Sequence, residues 1–497
     1  MAFDMIIFLC IVLPLTLILY WIVPQKGKNL FLLVVSLFFY AWSEPKNVLL
    51  ILGVTLWIYF VGRSMEFVSI RNLSLSTNKR ILQLLLGVGI VGNCFVLIYF
   101  KYLHFIVETF AKIARKEVSL AAMILPVGIS IFTFQGISYL VDVYRSILLM
   151  KQDTSASSLV QKNFISLSLY MCFFPQILAG PIMKYKDMNR MISNRETTME
   201  DITYGIERFI IGLSKKAILA NILSEFGAKI FATDVSYMGI GIAWLGALVY
   251  SLEIFLDFSG YSDMAIGIAR IFGFRLMENF NAPYMATSIK EFWRRWHISL
   301  STWFRDYLYI PLGGNRKGNV YVHLLIVFIV TGLWHGAAWG FVLWGLWHGL
   351  FLILERLYDN YAPAFMRKIK VFWGIKWLYT IFVVMIGWVM FYLVDLSDTI
   401  QYMKVMLGIR NGDYIAYNLR FFMTNKNIFV VFISVLVCLP WTTICSKMKS
   451  WLHLDENHSN AELFLRIAKR ASLLILLLIS MVVIVNSSYR PFIYLQF

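Results

Sequence analysis

Charge is what this chain lacks most. Of its 497 residues, 15% are Asp, Glu, Lys or Arg, where soluble domains carry about 25%. Hydrophobic residues make up 59%, and the mean hydropathy is +0.70. No soluble core could hide that much apolar surface, so a soluble globular class is excluded and the solvent is lipid. Acidic residues are scarcer than basic ones, 28 against 45, which leaves a formal charge of +17. The Lys and Arg sit mainly in short segments between apolar runs, as membrane topology and anionic headgroups require. With no nucleic-acid motif beside them, they do not suggest a nucleic-acid partner. There are only five cysteines, Cys10, Cys94, Cys172, Cys438 and Cys445, and none falls in a CxxC or Cys/His cluster. That pattern predicts neither a disulfide framework nor a metal site. No internal repeat or long low-complexity stretch is visible, which argues against the matched halves of many transporters.

What is present is a series of apolar runs. The first, residues 5–23, has no basic leader and no small-residue cleavage signature, and reads as a retained helix. Further runs fall near 29–42, 46–62, 81–101, 119–140, 163–181, 205–222, 236–257, 322–333, 337–354, 371–394, 428–446 and 471–486. At about 20 residues per crossing, these predict an all-α, polytopic integral membrane protein with roughly 11 to 13 membrane segments in one domain, residues 1–497. The 16 Trp and 26 Tyr suit interfacial belts. Lys26 and Lys28 follow the first run, and Arg63, Arg71, Lys79 and Arg80 mark a later loop. Lys447 and Lys449 close one span, and Arg466, Lys469 and Arg470 open the last. Placed on the cytoplasmic side, these loops leave both termini extracytoplasmic.

Between about Asp257 and Val320 the hydropathy breaks, and Asp257, Asp263, Arg270, Arg275, Glu278, Glu291 and several more cations mix with aromatic residues. Ionisable groups at membrane depth are costly unless they are paired or face water, so such a cluster marks a functional site. Residues 291–314, EFWRRWHISLSTWFRDYLYIPLGG, alternate too irregularly for one amphipathic face. Short interfacial or re-entrant helices fit better, and their arginines could equally snorkel to lipid phosphates. His297 suits anchoring less well, because an imidazole is an acid/base group near neutral pH. A second signal is Trp334-His335-Gly336 within an apolar stretch, repeated at Trp347-His348-Gly349. On one straight helix, a separation of about 13 residues leaves the two histidines about 220° apart. Only one would then face a reaction site, and the choice is His335.

In these segments the chain resembles the membrane-bound O-acyltransferase (MBOAT) family, above all the membrane components that O-acetylate alginate, peptidoglycan and cellulose. The resemblance is carried by PQILAGPIMKY (175–185), LDFSGYSDMAIGIARIFGF (256–274), NFNAPY (279–284), EFWRRWHISLSTWFRDYLYIPLGGNR (291–316) and LWHGAAWGFVLWGLWHG (333–349), with ILPVGISIFTFQGISYLVDVYR (124–145) also fitting. It implies a helical rim around a central pinch between two funnels. It also implies a core at about residues 120–355 and C-terminal helices with an extracytoplasmic tail at 371–497. The family's histidine corresponds to His335, and its more variable second position to His297. The setting implied is the bacterial cytoplasmic (inner) membrane.

Acyl transfer from a thioester needs a base for the attacking hydroxyl and stabilisation of the developing oxyanion. Neutral His335 suits the base, while His297 or a nearby Arg could polarise the thioester carbonyl. Arg294, Arg295, Arg305, Arg316 and Lys317 could attract coenzyme A phosphates. The expected donor substrate is acetyl-CoA or another acyl thioester, with no bound cofactor. The chain ends Phe492-Ile493-Tyr494-Leu495-Gln496-Phe497, an F-x-Y-x-x-F tail resembling that of bacterial acylation systems. Tyr494 could carry acetyl to a serine of an extracytoplasmic SGNH-type partner, or could anchor the tail at the interface. Three alternatives stay open: D-alanyl transfer to teichoic acid from an acyl carrier protein, a transporter, and Cys172 as nucleophile.

Overall fold

A computed structural model of the protein describes residues 2–71, 74–118, 124–153, 157–363, 372–409, 417–441, 443–446 and 459–486. Among these residues every regular element is helical. Six helices are long and apolar enough to cross a membrane: Asn47–Ile70, Ser76–Ile113, Ile240–Ile271, Trp339–Tyr361, Trp373–Tyr392 and Arg466–Asn486. Four shorter apolar helices, Phe8–Ile22, Phe164–Ile177, Val320–His335 and Asn425–Val437, accompany them. Large apolar side chains such as Leu84, Phe95, Leu474 and Val485 point outward. In lipid that outward apolar surface is the favourable one.

The chain divides into two compact units, residues 1–206 with 265–277, and residues 207–264 with 278–497. In the first, the helices Asn47–Ile70, Leu75–Leu97 and Ile129–Met150 pack together. Lys28–Ser43 lies against Phe164–Cys172. Its polar groups are tied internally: Arg270 pairs with Asp201 at 2.6 Å, and Arg195 donates to the Tyr20 hydroxyl at 3.2 Å.

The second unit holds both WHG motifs. The segment expected to break at Asp257 does not break there, because the helix Ile240–Ile271 runs on through Asp257 and Asp263. Both carboxylates find cations inside the protein, which removes the cost that the hydropathy pattern signalled. Residues 291–314 do form short helices, Ile289–Arg295 and Ile298–Phe304, followed by one wide turn, Arg305–Tyr309. Ser288 caps the first of these by accepting from the Glu291 amide at 3.0 Å. Glu355, from the helix Trp339–Tyr361, accepts from the Ile289 and Lys290 amides at 2.6 and 3.0 Å. A carboxylate so placed meets the positive end of the helix and fixes where it starts.

The two WHG motifs lie on separate helices. Val320–His335 begins under an Asn319 cap, whose side chain accepts from the Tyr321 and Val322 amides, and it ends at His335. Gly336 and Ala338 are extended, and Trp339–Tyr361 follows. The pair packs backbone to backbone through glycine. A Cβ at Gly332 would strike the Phe341 carbonyl oxygen, and one at Gly345 would strike the Phe328 carbonyl oxygen. Small residues permit this approach where larger ones forbid it. Gly345→Ala is therefore expected to cost roughly 1–3 kcal/mol through forced separation of the helices, read as a lowered unfolding temperature in detergent. An unchanged temperature would show that the pair parts without penalty.

Candidate active site

His335, at the C-terminal end of its helix, is 5% exposed and boxed by aromatic rings. Its ring meets Trp344 edge-on at 5.0 Å, Phe391 at 5.0 Å and Trp334 at 4.8 Å. His348 is fully buried on the other side of the same tryptophan, 5.1 Å from Trp344 and 5.1 Å from Trp293. The straight-helix reading, in which the two histidines point apart, is thus corrected. The Gly336 break folds them onto one aromatic cluster, with Trp344 touching both. Both ring nitrogens of His348 lack a hydrogen-bond partner among the described residues.

His297 occupies the turn between the two short helices and is 2% exposed. Burial holds its imidazole far below the ordinary range, so the ring is neutral. Its ring packs edge-on to Phe258 at 4.6 Å and lies 5.9 Å from Trp334. Trp334 therefore contacts both candidate catalytic histidines. Asn279 Oδ1, from the NFNAPY segment, lies 3.0 Å from His297 Nδ1 and accepts from Ser299 Oγ at 2.9 Å. In the sequence that segment carries only the family resemblance, and nothing singles out Asn279.

The five expected donor-binding cations separate into two kinds. Arg295 pairs with Glu291 at 2.7 Å, and Arg305 pairs with Asp306 at 2.7 Å. Arg294, Arg316 and Lys317 are exposed and have no ion pair among the described residues. Tyr494 and the F-x-Y-x-x-F tail lie outside the described residues. Cys172, also considered as a nucleophile, is wholly buried at the end of the helix Phe164–Cys172 in the first unit.

The sequence marked Asp257, Asp263 and Glu278 but not the cations that pair with them. Lys216 pairs with Asp257 at 2.5 Å, the two side chains 5% and 4% exposed. Asp263 accepts from Arg208 and Lys215, each at 2.7 Å, and Arg208 also reaches Glu278 at 2.5 Å. The signal was available, since Arg208, Lys215 and Lys216 interrupt the apolar run 205–222. A wide helical turn over Lys215–Ala220 carries the two lysines.

This geometry belongs to a recognisable group of proteins. The family model of MBOAT, the membrane-bound O-acyltransferase family, matches residues 3–394. The chain belongs to that family. It is 37% identical over its whole length to the whole of the Pseudomonas putida protein named "Probable alginate O-acetylase AlgI". The Helicobacter pylori protein named "Peptidoglycan O-acetyltransferase" is 33% identical, over 100% of this chain and 98% of its own. A Streptococcus thermophilus "Teichoic acid D-alanyltransferase" is 31% identical, over 48% of this chain and 59% of its own. This MBOAT protein is accordingly an O-acyltransferase of the membrane, and its relatives are bacterial.

The buried pair supplies a test of the cluster. Removing one partner by Lys216→Met leaves Asp257 as a buried carboxylate, at a cost of about 3–5 kcal/mol. The double change Lys216→Met with Asp257→Leu should recover most of that in detergent unfolding. A single variant as stable as wild type would show that the pair contributes nothing.

Proposed function

We propose that this protein takes an acetyl group from a cytoplasmic thioester, acetyl-CoA or an acylated carrier, and passes it across the membrane for O-acetylation of an extracytoplasmic polysaccharide. The observation that carries the reading is His335, buried at a helix end in an aromatic box, with His297 one tryptophan away. A hydroxyl attacks the thioester carbonyl and gives its proton to His335. The C–S bond breaks as the tetrahedral intermediate collapses, and the protonated imidazole returns the proton to the departing thiolate. An ester and a thiol are formed, with no net proton released.

The donor's phosphates go to Arg294, Arg316 and Lys317. Arg295 and Arg305 already neutralise carboxylates, and their charge is partly spent. Polysaccharide acetylation is favoured over D-alanyl transfer because the acetyltransferase relatives align along the whole chain, whereas the D-alanyltransferase aligns over half of it. On this reading the protein sits in the inner membrane with both termini outside, as the placement of Lys and Arg favours. Tyr494 receives the acetyl group and hands it to a serine of an SGNH-type partner. The acceptor polymer is of the alginate, cellulose or peptidoglycan kind.

Purified protein incubated with radiolabelled acetyl-CoA tests this directly. Wild type should retain label, and His335→Ala and Tyr494→Phe should both lose it. Label persisting on Tyr494→Phe would make the tail an anchor and move the carrier elsewhere. If neither acetyl-CoA nor acetylated carrier protein labels any version, the acetyl-donor assignment falls. Neutralising the cations by Arg316→Gln with Lys317→Gln should raise KM for acetyl-CoA roughly tenfold with kcat kept, as lost uniform binding does. A fall in kcat at unchanged KM would remove them from donor binding.

A further inference from the structure

His297 has a backbone conformation uncommon among non-glycine residues, with φ 42° and ψ 56° in the left-handed region. Ala282 shares it, at φ 42°. Such positions persist only where their surroundings over-determine them, and they concentrate at functional sites. Here the surroundings are explicit. The Asn281 amide donates to the Arg295 carbonyl at 2.9 Å, and the Ile298 amide donates to the Asn279 carbonyl at 3.0 Å. These two bonds strap residues 279–281 alongside 295–298 and hold the His297 backbone between them.

The Asn279 side chain lies at the centre of this strap, 1% exposed. Its Nδ2 donates at 3.1 Å to Ser262 Oγ, on the long buried helix Ile240–Ile271. Three groups surround its Oδ1: His297 Nδ1 at 3.0 Å, Ser299 Oγ at 2.9 Å and the Ser299 amide at 3.3 Å. The last of these is decisive. A backbone N–H can only donate, so the side-chain atom it faces must be the oxygen. A flipped amide would set NH2 against N–H. With the oxygen fixed, His297 Nδ1 cannot also be an acceptor facing an acceptor, and the proton of the neutral ring sits on Nδ1. Nε2 is then left with its lone pair.

We infer that Asn279 is a positioning residue that locks His297 in its Nδ1–H tautomer, which makes Nε2 the acceptor atom of the ring. The inference rests on the acyl-transfer reading for what Nε2 meets, but not for the tautomer itself. It changes the role expected of His297. A neutral imidazole with an unprotonated Nε2 cannot polarise a thioester carbonyl through that atom, because polarisation needs a donor. It can accept a hydrogen bond from the incoming hydroxyl or from the thiol, sharing the proton that His335 moves. The oxygen of the tetrahedral intermediate must then be stabilised by other donors. The outer side chain of the arrangement is one that acts through another residue, as the partner of a catalytic histidine commonly does.

The test combines histidine nitrogen NMR on the full-length protein in bilayers with acetyl-CoA labelling. His297 is assigned by the resonance that disappears in His297→Gln. In wild type it should show a protonated Nδ1 and an unprotonated Nε2. Asn279→Leu should lose that signature and lower the labelling rate roughly 10- to 100-fold with KM for acetyl-CoA little changed, the scale on which loss of a supporting hydrogen bond acts. Asn279→Asp keeps an acceptor at the same place and should restore the signature and most of the rate. It should also move the acidic limb of the pH profile upward, since a neighbouring carboxylate favours the imidazolium. A wild-type ring protonated at Nε2 with a bare Nδ1 overturns the inference. So does Asn279→Leu with an unaltered His297 spectrum. If His297→Gln labels at the wild-type rate, the part given to His297 in the reaction fails, while the spectra still decide whether Asn279 sets the tautomer.

Discussion

The contact on which the rest of the site depends is backbone against backbone, between the helices Val320–His335 and Trp339–Tyr361. Gly332 faces the Phe341 carbonyl, and Gly345 faces the Phe328 carbonyl, with no side chain between them. Helices in lipid gain little from burying apolar surface against each other, so close van der Waals approach has to hold them. The short extended link from Gly336 to Ala338 turns the chain back, and the glycine faces let it turn tightly. As a result Trp344 comes to lie between His335 and His348, and one tryptophan sets the surroundings of both.

A second constraint is the cost of charge in an apolar setting. The protein meets it with partners rather than with water. Lys216 answers Asp257, Arg208 and Lys215 answer Asp263, and Glu355 answers the amides that open the helix Ile289–Arg295. Each arrangement joins segments distant in sequence. The charges that looked like an interruption of the membrane pattern therefore serve as its internal ties. The long helix Ile240–Ile271 can carry Asp257 and Asp263 because both are paired. One of its serines, Ser262, accepts from the Asn279 amide and through it ties to the turn at His297. The turn at His297 is in this sense suspended from the most buried of the apolar spans.

How much of this was legible follows from the range of the forces involved. Hydropathy is a local average, and it located the apolar runs well. It misplaced the end of one helix at Asp257, because the compensating cation lies 41 residues earlier in the chain, at Lys216. The choice of His335 and His297 came from unusual residues in unusual places. The relation between them did not, because a straight-helix projection cannot see the break at Gly336. Asn279 was invisible for a simpler reason. An asparagine in a loop segment carries no sign of whether its amide meets water or a buried imidazole.

By itself the sequence determined the solvent, the helical class and the family, and it singled out two histidines as candidates. Those properties rest on composition, on periodicity and on long contiguous motifs, all of which exist before folding. Only the tertiary structure decided which arginines are already neutralised, which histidine stands at a helix end, and which groups surround His297 Nδ1. Those are matters of a few tenths of an ångström between groups far apart in the chain. They are fixed when a backbone N–H at Ser299 is brought against the oxygen of Asn279, and not before.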